Sequence, residues 1–448
     1  MRKMISFFYL AILSIKVQAQ TGINGAQIMT LPQAIQSGMK NNSQLKVSET
    51  RTQIAESKLQ QVKDKALPQA GTSLQYSRLN ILSDFGLYMG GEKPVFKLPV
   101  SQFDAMVGVA TVNKEIFGGF AERSALRSNE YLIQASKLDA EKDAEEVKFN
   151  IIAAYLNIFK IAHSENILEE NVRLLDKKEK EVKDLFKEGV VTTNEVLKIQ
   201  LQHSNLELTK VDIRNIREIA LHDFSILIGA SEGVPIDIDT NISLEIRQVV
   251  PVDDLISFGL EHRIELKAMN FREKSGQAML KQVKSAYYPH FDVSGMYIFL
   301  NQSPNKDIIP SSGRYLNATN LGVSLKYNIS SLYGMKGRTQ EMRLNIIQVH
   351  NNEVVIEEKI KSEVFAQYKT YKSAIEKIEV SKTAEAQAVR SYQLSDSKFR
   401  NGLLLSSDLI ESQNLLLQSQ LNILQAKVDA QIAWYRLQKA IGSAINNL

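Results

Sequence analysis

Length, composition and charge set the first limits: the chain has 448 residues, 44% of them hydrophobic, and a formal net charge of +4. This hydrophobic fraction excludes wholesale disorder, and the near-balance of charges gives no reason to expect nucleic acid as a partner. The absence of cysteine excludes a disulfide scaffold and a thiolate metal site.

Residues 1–19 have the pattern of a cleaved secretory signal peptide. Arg2 and Lys3 form a positive start, Ile5 to Ile15 form an apolar segment, and a small-residue cleavage site ends at Ala19. The alternative, a membrane anchor, is disfavoured because the apolar segment is too short to span a bilayer. No later stretch approaches the length of about 18 apolar residues that a membrane helix needs. A secreted chain of this kind either stays soluble or enters a membrane as a closed β-barrel.

Two long tracts without proline predict two very long helices. The nine prolines avoid residues 101–234 and every position after Ser311, and proline inside a helix costs about 3 kcal/mol. Within the first tract, Ala121 to Lys187 has apolar residues at steps of three and four, which indicates an amphipathic helix. A helix of this length would be a rod of roughly 100 Å. Such a rod is typical of a coiled coil rather than of a globular core.

The chain contains an internal repeat. Gly38 falls on Gly259 and Pro68 on Pro289 at a constant offset (289 − 68 = 221), and Gly189 falls on Gly402 at another (402 − 189 = 213). A register held over so many positions is typical of a duplication. We therefore divide the mature chain into a first structural repeat over residues 20–229, an equatorial linker over 230–250 and a second repeat over 251–448.

Each repeat is predicted to contain the same series of elements. A helix of about 35 residues comes first, opened in the first copy by Thr30 and Gln33, which have capping-box spacing. After Pro68 and Pro289 the apolar period changes to two, which predicts strands at about 70–80, 104–115, 290–300 and 317–329. Long connections at residues 82–102 and 301–314 separate the strands of each pair. The long helix, a turn at Gly189 or Gly402, and a returning helix of about 40 residues complete the unit.

Four strands in one chain are too few to close a barrel. Three protomers would supply twelve strands, an even number within the range of membrane barrels. The predicted fold class is therefore mainly α with a β membrane part. In it, a trimeric 12-stranded β-barrel is continued by a periplasmic α-helical coiled-coil tunnel.

This ordered set of features resembles the TolC-type outer-membrane efflux family. The resemblance rests on the signal peptide, the duplicated unit, the helix-to-strand junctions at Pro68 and Pro289, and the tips at Gly189 and Gly402. It also includes the sequences after the second strands, at residues 116–119 and 332–334. It implies a homotrimeric exit duct in the outer membrane, with its helical part in the periplasm and outer-membrane lipid around its barrel. A periplasmic adaptor (membrane fusion protein) and an inner-membrane transporter are the implied partners.

The resemblance also implies a constriction ringed by acidic side chains. The family's positions, six and nine residues after the second tip glycine, hold Asp408 and Glu411, and Glu195 lies six residues after the first. Three-fold repetition would give a negative ring that favours cations. The alternative is that these are ordinary solvated acids. Leu404 stands where well-studied members have a basic residue, which argues against a charge-based lock at that position.

The tips are also the predicted adaptor-docking surface. Glycine supplies the left-handed backbone of a tight helix–helix turn. The apolar residues beside the two glycines would be exposed unless a partner covers them. The docking residues predicted on this basis are Gly189, Val190, Gly402 and Leu403.

An enzyme is not expected. The six histidines are scattered, with no pair at metal-ligand spacing, and the glycines at 86, 90 and 91 lack the lysine of a phosphate loop. We therefore expect no catalytic residue, no cofactor and no metal. The competing interpretation is a soluble periplasmic or cell-surface coiled-coil structural or adaptor protein.

Overall fold

The computed structural model describes residue 25 and residues 27–88, 90–93, 96–98, 100–231, 233–302 and 315–443. The predicted signal peptide lies outside these residues. The chain forms two compact units. The helical unit consists of Met1–Ser48, Ala140–Ile264 and Glu357–Leu448, and the sheet unit consists of Glu49–Asp139 and Glu265–Ile356.

Helices account for most of the described chain. The long helix of the first repeat occupies the predicted span, Ala121–Lys187. None of the described helices is both long enough and apolar enough to cross a membrane. The helices are α1 Leu31–Asn41, α2 Ser43–Lys65, α3 Ala121–Lys187, α4 Thr193–Leu227, α5 Val252–His262, α6 Ile264–Lys284, α7 Ser331–Gly334, α8 Lys336–Arg400 and α9 Ser406–Ala440.

The first helix of each repeat is divided in two, where the sequence predicted one helix of about 35 residues. In the first repeat the capping box is present, since the Thr30 amide donates to Gln33 Oε1 at 3.0 Å and the Gln33 amide donates to Thr30 Oγ1. The helix is interrupted at Asn42, whose side-chain oxygen accepts from the amide of Gln44 at 2.8 Å. This local bond competes with the helical one. The second repeat is interrupted at the equivalent residue, Arg263. The returning helices α4 and α9 have 35 residues each rather than about 40.

The sheet unit contains a four-stranded antiparallel sheet made from both repeats. Its strands are β2 Gln69–Ile81, β5 Ser101–Gly118, β7 His290–Gln302 and β8 Tyr315–Lys326, in the order β2-β5-β7-β8. The central pair, β5 and β7, joins the two repeats. Strand β8 ends three residues before the predicted position 329. Within the predicted 82–102 connection, β3 Phe85–Leu87 pairs with β4 Phe96–Leu98, while most of the 301–314 connection lies outside the described residues.

The predicted equatorial linker is attached to the core of the helical unit. Its strand β6, Ile236–Ile238, pairs in parallel with β1, Gln27–Met29. The buried hydroxyl of Tyr155 donates to the carbonyls of Met29 at 3.0 Å and Asp239 at 2.8 Å. Tyr371 donates to the carbonyl of Arg247 at 2.7 Å. A buried tyrosine hydroxyl requires such partners, so these two residues fix the linker on α3 and α8.

Candidate functional site at the helical tips

The two tip turns have the same backbone geometry. The turns follow α3 and α8, and their glycines Gly189 and Gly402 have φ of +74° and +72°. In the first tip the amides of Gly189 and Val190 donate to the carbonyls of Phe186 at 3.0 Å and Leu185 at 2.9 Å. The second tip repeats both bonds at the equivalent positions. This is the Schellman arrangement, in which a left-handed residue ends the helix, so glycine is required for the turn itself.

Each tip glycine is followed directly by one exposed and then one packed apolar side chain. Val190 is 58% exposed and Leu403 is 75% exposed. The next residues, Val191 and Leu404, pack against a cluster of buried residues that includes Leu409. The structure therefore separates the apolar tip residues into a surface pair and a core pair. Leu404 belongs to the core pair, and the predicted docking residues Val190 and Leu403 form the surface pair.

Glu195 connects the two tips. Its Oε2 accepts a hydrogen bond from the amide of Ser406 at 2.9 Å, and its Oε1 lies 3.0 Å from the Lys198 ammonium. The amide of Ser406 is the first of α9 and has no partner within that helix, and Leu405 before it has no capping side chain. Burial acts to raise the pKa of Glu195, but the bonds from Ser406 and Lys198 outweigh burial and lower it. Glu195 is therefore an ionised cap on a neighbouring helix.

Asp408 and Glu411 have a different environment from Glu195. Both are exposed on α9, one helical turn apart, while Leu409 and Ser412 between and after them face the core. The Asp408 carboxylate accepts from the Ser407 hydroxyl at 3.3 Å. In the described part of the chain no ion pair within 4.0 Å involves either acid. Within one protomer the structure thus places these two acids together on the surface, whereas the Glu195 carboxylate is largely buried and bonded to Ser406 and Lys198.

A network of four charged residues near the tips was missed by the sequence analysis. Lys178 of α3 is 4% exposed, its ammonium lies 2.6 Å from Glu181, and it also pairs with Asp396 of α8. Arg400 lies 3.1 Å from Asp396 and 3.6 Å from Glu181. The spacings of three and four residues within each helix were visible in the sequence, but the pairing between α3 and α8 was not. This network holds the ends of the two long helices together.

Comparison with known proteins gives a family match for the second repeat. The family model described as outer membrane efflux protein matches residues 255–443, which covers α5 to α9 and includes the second tip. The resemblance predicted from the sequence is confirmed. No curated protein matches the chain.

Solved structures of membrane channels and an outer-membrane protein share the fold over nearly the whole chain. The outer-membrane channel OprN has a TM-score of 0.73 at 16% identity, covering 92% of this chain and 90% of that one. CusC has a TM-score of 0.76 at 12% identity, with 92% of each chain covered. VceC from Vibrio cholerae has a TM-score of 0.72 at 13% identity, covering 92% and 96%. At these identities the likeness shows the fold alone, and it covers the first repeat as well as the second.

The described chain also contains two groups in which one histidine lies close to two carboxylates. The ligand atoms of each group lie within 4.8 Å of one another; the groups are Asp176, Glu179 and His203, and Glu273, His350 and Glu353. In the first group the Lys183 ammonium already lies 2.6 Å from Glu179, and this bond is the main cause of the lowered pKa of Glu179. The sequence analysis missed both groups because their members lie on different helices.

Proposed function

We propose that the chain is one protomer of an outer-membrane exit duct. The duct exports small molecules or polypeptides that an inner-membrane pump and a periplasmic adaptor deliver. In this proposal three copies contribute four strands each to a twelve-stranded barrel in the outer membrane. Their long helices form a tunnel in the periplasm. The observation that carries the proposal is the apolar face of the four-stranded sheet.

This face extends over all four strands. Residues that are directly paired lie on the same face of a sheet, and Leu321 pairs with Gly295 while Val323 pairs with Val293. Leu321 is 89% exposed. The exposed apolar residues of this face are Leu74, Tyr76, Val112, Phe291, Val293, Tyr297, Leu321, Val323 and Leu325. The opposite face is mixed: it carries polar residues that include Ser73, Gln75, Asn113, Ser294, Asn320 and Ser324, and apolar residues that include Val107, Val109, Met296, Ile298 and Leu300. An apolar outside and a polar inside are typical of membrane barrel strands.

The sheet and the helices both need further copies. In the described residues β2 pairs with β5 alone and β8 pairs with β7 alone, so two strands of 13 and 12 residues form edges. Long edges of this kind pair with other chains. Helix α4 carries an apolar stripe that is more than half exposed, formed by Leu197, Leu201, Leu208, Val211, Ile219 and Ile226. Such a patch marks a protein contact, and a ring of identical protomers covers it in every copy.

The test compares charge on the two faces of the sheet. Leu321→Lys with Val323→Lys places two charges on the apolar face, where each costs about 2 to 4 kcal/mol in lipid. The matched control, Asn320→Lys with Ser324→Lys, places two charges on the other face of the same strand. We expect the first variant to be absent from the outer-membrane fraction. The control should be present there as a detergent-extracted trimer that conducts ions in planar bilayers.

Two results would overturn the proposal. One is a monomer with the full β-sheet signal, measured by light scattering in detergent. The other is extraction of the wild-type chain without detergent, which would favour the soluble coiled-coil interpretation. Equal insertion of both lysine variants would show that the apolar face does not contact lipid.

A further inference from the structure

The sheet unit contains a basic cavity between two helices, at the end of the sheet where β5 gives way to α3. The cavity has a volume of about 400 Å³, and one wall is formed by the first three turns of α3 while the other is formed by α6. The helices are fastened beside it by a buried contact between the hydroxyls of Ser128 and Ser275 at 2.8 Å. Five cationic side chains line the cavity: Arg123, Arg127, Lys274, Lys281 and Lys284.

These five cations are not neutralised within the described part of the chain. None of the described lining residues is acidic, and no described carboxylate lies within 4.0 Å of any of the five charges. By contrast, Arg272, two residues before Lys274, pairs with Asp139. The side-chain nitrogen Nε2 of Gln277, a residue that lines the cavity, donates to Glu273 at 3.0 Å. The Glu273 carboxylate itself does not line the cavity. Two basic helix faces that confront each other repel, and a bound anion removes the repulsion.

The backbone adds to the positive potential. Helix α3 begins at Ala121, and Arg123 and Ser124 of its first turn line the cavity together with Gly119 and Phe120. The amino-terminal end of a helix has unpaired amides and a partial positive charge, which favour phosphate. Phe120 is the one non-glycine residue of the described chain with a positive φ, at +69°. This strained backbone conformation lies between the end of β5 and the start of α3, beside the cavity.

Aromatic residues give the cavity an apolar rim. Phe120 packs edge-on against Phe117 at 5.3 Å and against Tyr288 at 6.0 Å. Phe120 and Tyr288 both line the cavity and are about half exposed. The rim therefore suits a ligand that has a phosphate at one end and an apolar body at the other. Aromatic residues at strand ends lie at the headgroup level of a membrane barrel.

We propose that this cavity binds the phosphate group of an anionic phospholipid. The five cations and the helix terminus hold the phosphate, and the aromatic rim contacts the start of the acyl chains. Basic pockets of this type bind anionic headgroups. The phosphate part of the proposal rests on the cavity alone. The lipid source rests on the proposed function, because that function places the end of the sheet at the membrane surface.

The experiment measures ligand-induced stabilisation of the purified full-length chain in neutral detergent. The probes are phosphatidylglycerol, phosphatidylcholine and inorganic phosphate, and the readout is the thermal unfolding midpoint against ligand concentration. The variant is Arg127→Gln with Lys281→Gln, which removes one charge from each wall. The matched control is Lys336→Gln with Arg338→Gln, two exposed cations of the same unit outside the cavity.

We expect phosphatidylglycerol, and not phosphatidylcholine, to raise the midpoint of the wild type and of the control. Loss of two charged hydrogen bonds should weaken phosphatidylglycerol binding by at least about 10-fold in the variant. Inorganic phosphate could instead raise the midpoint of the wild type but not of the variant, while phosphatidylglycerol raises neither. That result would show that the ligand is free phosphate and not a lipid. Unchanged phosphatidylglycerol binding in the variant would overturn the site. Because no conductance is measured, neither result decides whether the chain is a channel.

Discussion

In both repeats the residue at the break of the first helix bonds to the C-terminal end of the returning helix, and we call this contact the joint. The two repeats form it with different residues. In the first repeat, Asn42 lies between α1 and α2, and its side-chain nitrogen Nδ2 donates to the carbonyl of Leu227 at the end of α4, at 2.7 Å. In the second repeat the equivalent residue is Arg263, between α5 and α6. Its guanidinium donates to the carbonyl of Ala440 at the end of α9, at 2.9 Å. Each residue thus supplies a donor to carbonyls that lack a partner at a helix C-terminus.

The difference shows what the duplication has retained. The position of the donor and its acceptor are the same, but the chemistry of the donor is not. Arg263 also binds Glu363 of α8 at 3.0 Å, so the second joint connects three helices. Asn42 is 7% exposed and bonds to its own chain at Gln44, so the first joint also shapes the helix break.

The largest expected effect tests the tips, where the two repeats are most alike. Val190→Glu with Leu403→Glu places charge on the two exposed apolar residues. We expect the assembly to remain intact while adaptor binding weakens by about 100-fold, because two buried apolar side chains contribute about 3 kcal/mol or more. The control, Asn401→Glu, adds a charge beside the second tip without removing an apolar group. Binding to an immobilised adaptor and export by complementation are the measurements, and full export by the double variant would show that the adaptor docks elsewhere.

The second-largest expected effect compares how much Arg263 and Asn42 contribute to stability. Arg263→Ala leaves the carbonyl of Ala440 and the carboxylate of Glu363 without their donor, and we expect a loss of about 2 to 3 kcal/mol in stability. Asn42→Ala removes a neutral donor and should cost about 1 to 2 kcal/mol. Thermal unfolding of the detergent-purified proteins gives the comparison. If Asn42→Ala costs as much as Arg263→Ala, the extra bond to Glu363 contributes nothing.

A smaller effect concerns the glycines of the two short helices. A Cβ on Gly38 would overlap the side chain of Ile151, which is fully buried. A Cβ on the equivalent Gly259 would meet Val364 at 3.5 Å, an ordinary contact. We expect Gly38→Ala to destabilise by about 1 kcal/mol through overpacking. Gly259→Ala should be neutral or stabilise by up to about 1 kcal/mol, since alanine favours the helix. Equal midpoints for both variants would mean that α1 moves away from α3 at no cost.

The parts of the fold that could be predicted from the sequence are those that depend on residues close together in the chain. The span of α3 could be read from its apolar period, because that period depends on neighbouring residues. The bond from Asn42 to the end of α4 could not, since its acceptor Leu227 is 185 positions away. The tip glycines were predictable from turn chemistry, whereas the role of Glu195 was not. Its bond to Ser406 spans 211 positions and exists only once α4 and α9 are packed.

A modest and pH-dependent effect distinguishes the two tip acids at equivalent positions. Glu195→Gln removes a charged cap, and we expect a loss of about 1 to 2 kcal/mol. Because the pKa of Glu195 is lowered from its ordinary value of 4.5, its contribution is complete above that value. The contribution disappears as the pH falls through the lower folded pKa. Asp408→Asn removes an exposed carboxylate and should change the midpoint little. The difference between wild type and Glu195→Gln, measured by thermal unfolding from pH 7 to pH 3, should therefore shrink below pH 4.5.

The smallest expected effect concerns ion selectivity, and it uses the exposed acids of the second tip. In the proposed trimer, three copies of Asp408 and Glu411 would place six carboxylates around one constriction, where rings of acids favour cations. We expect Asp408→Ala with Glu411→Ala to lower cation selectivity in planar bilayers by a few-fold and to weaken block by multivalent cations from the periplasmic side. The control, Glu141→Ala with Glu145→Ala, removes two acids of α3 and should change neither property comparably. Since Glu195 is bound to Ser406 and Lys198, its substitution should alter stability more than selectivity. Unchanged selectivity and block in an inserted Asp408 and Glu411 variant would identify these two acids as ordinary surface charges.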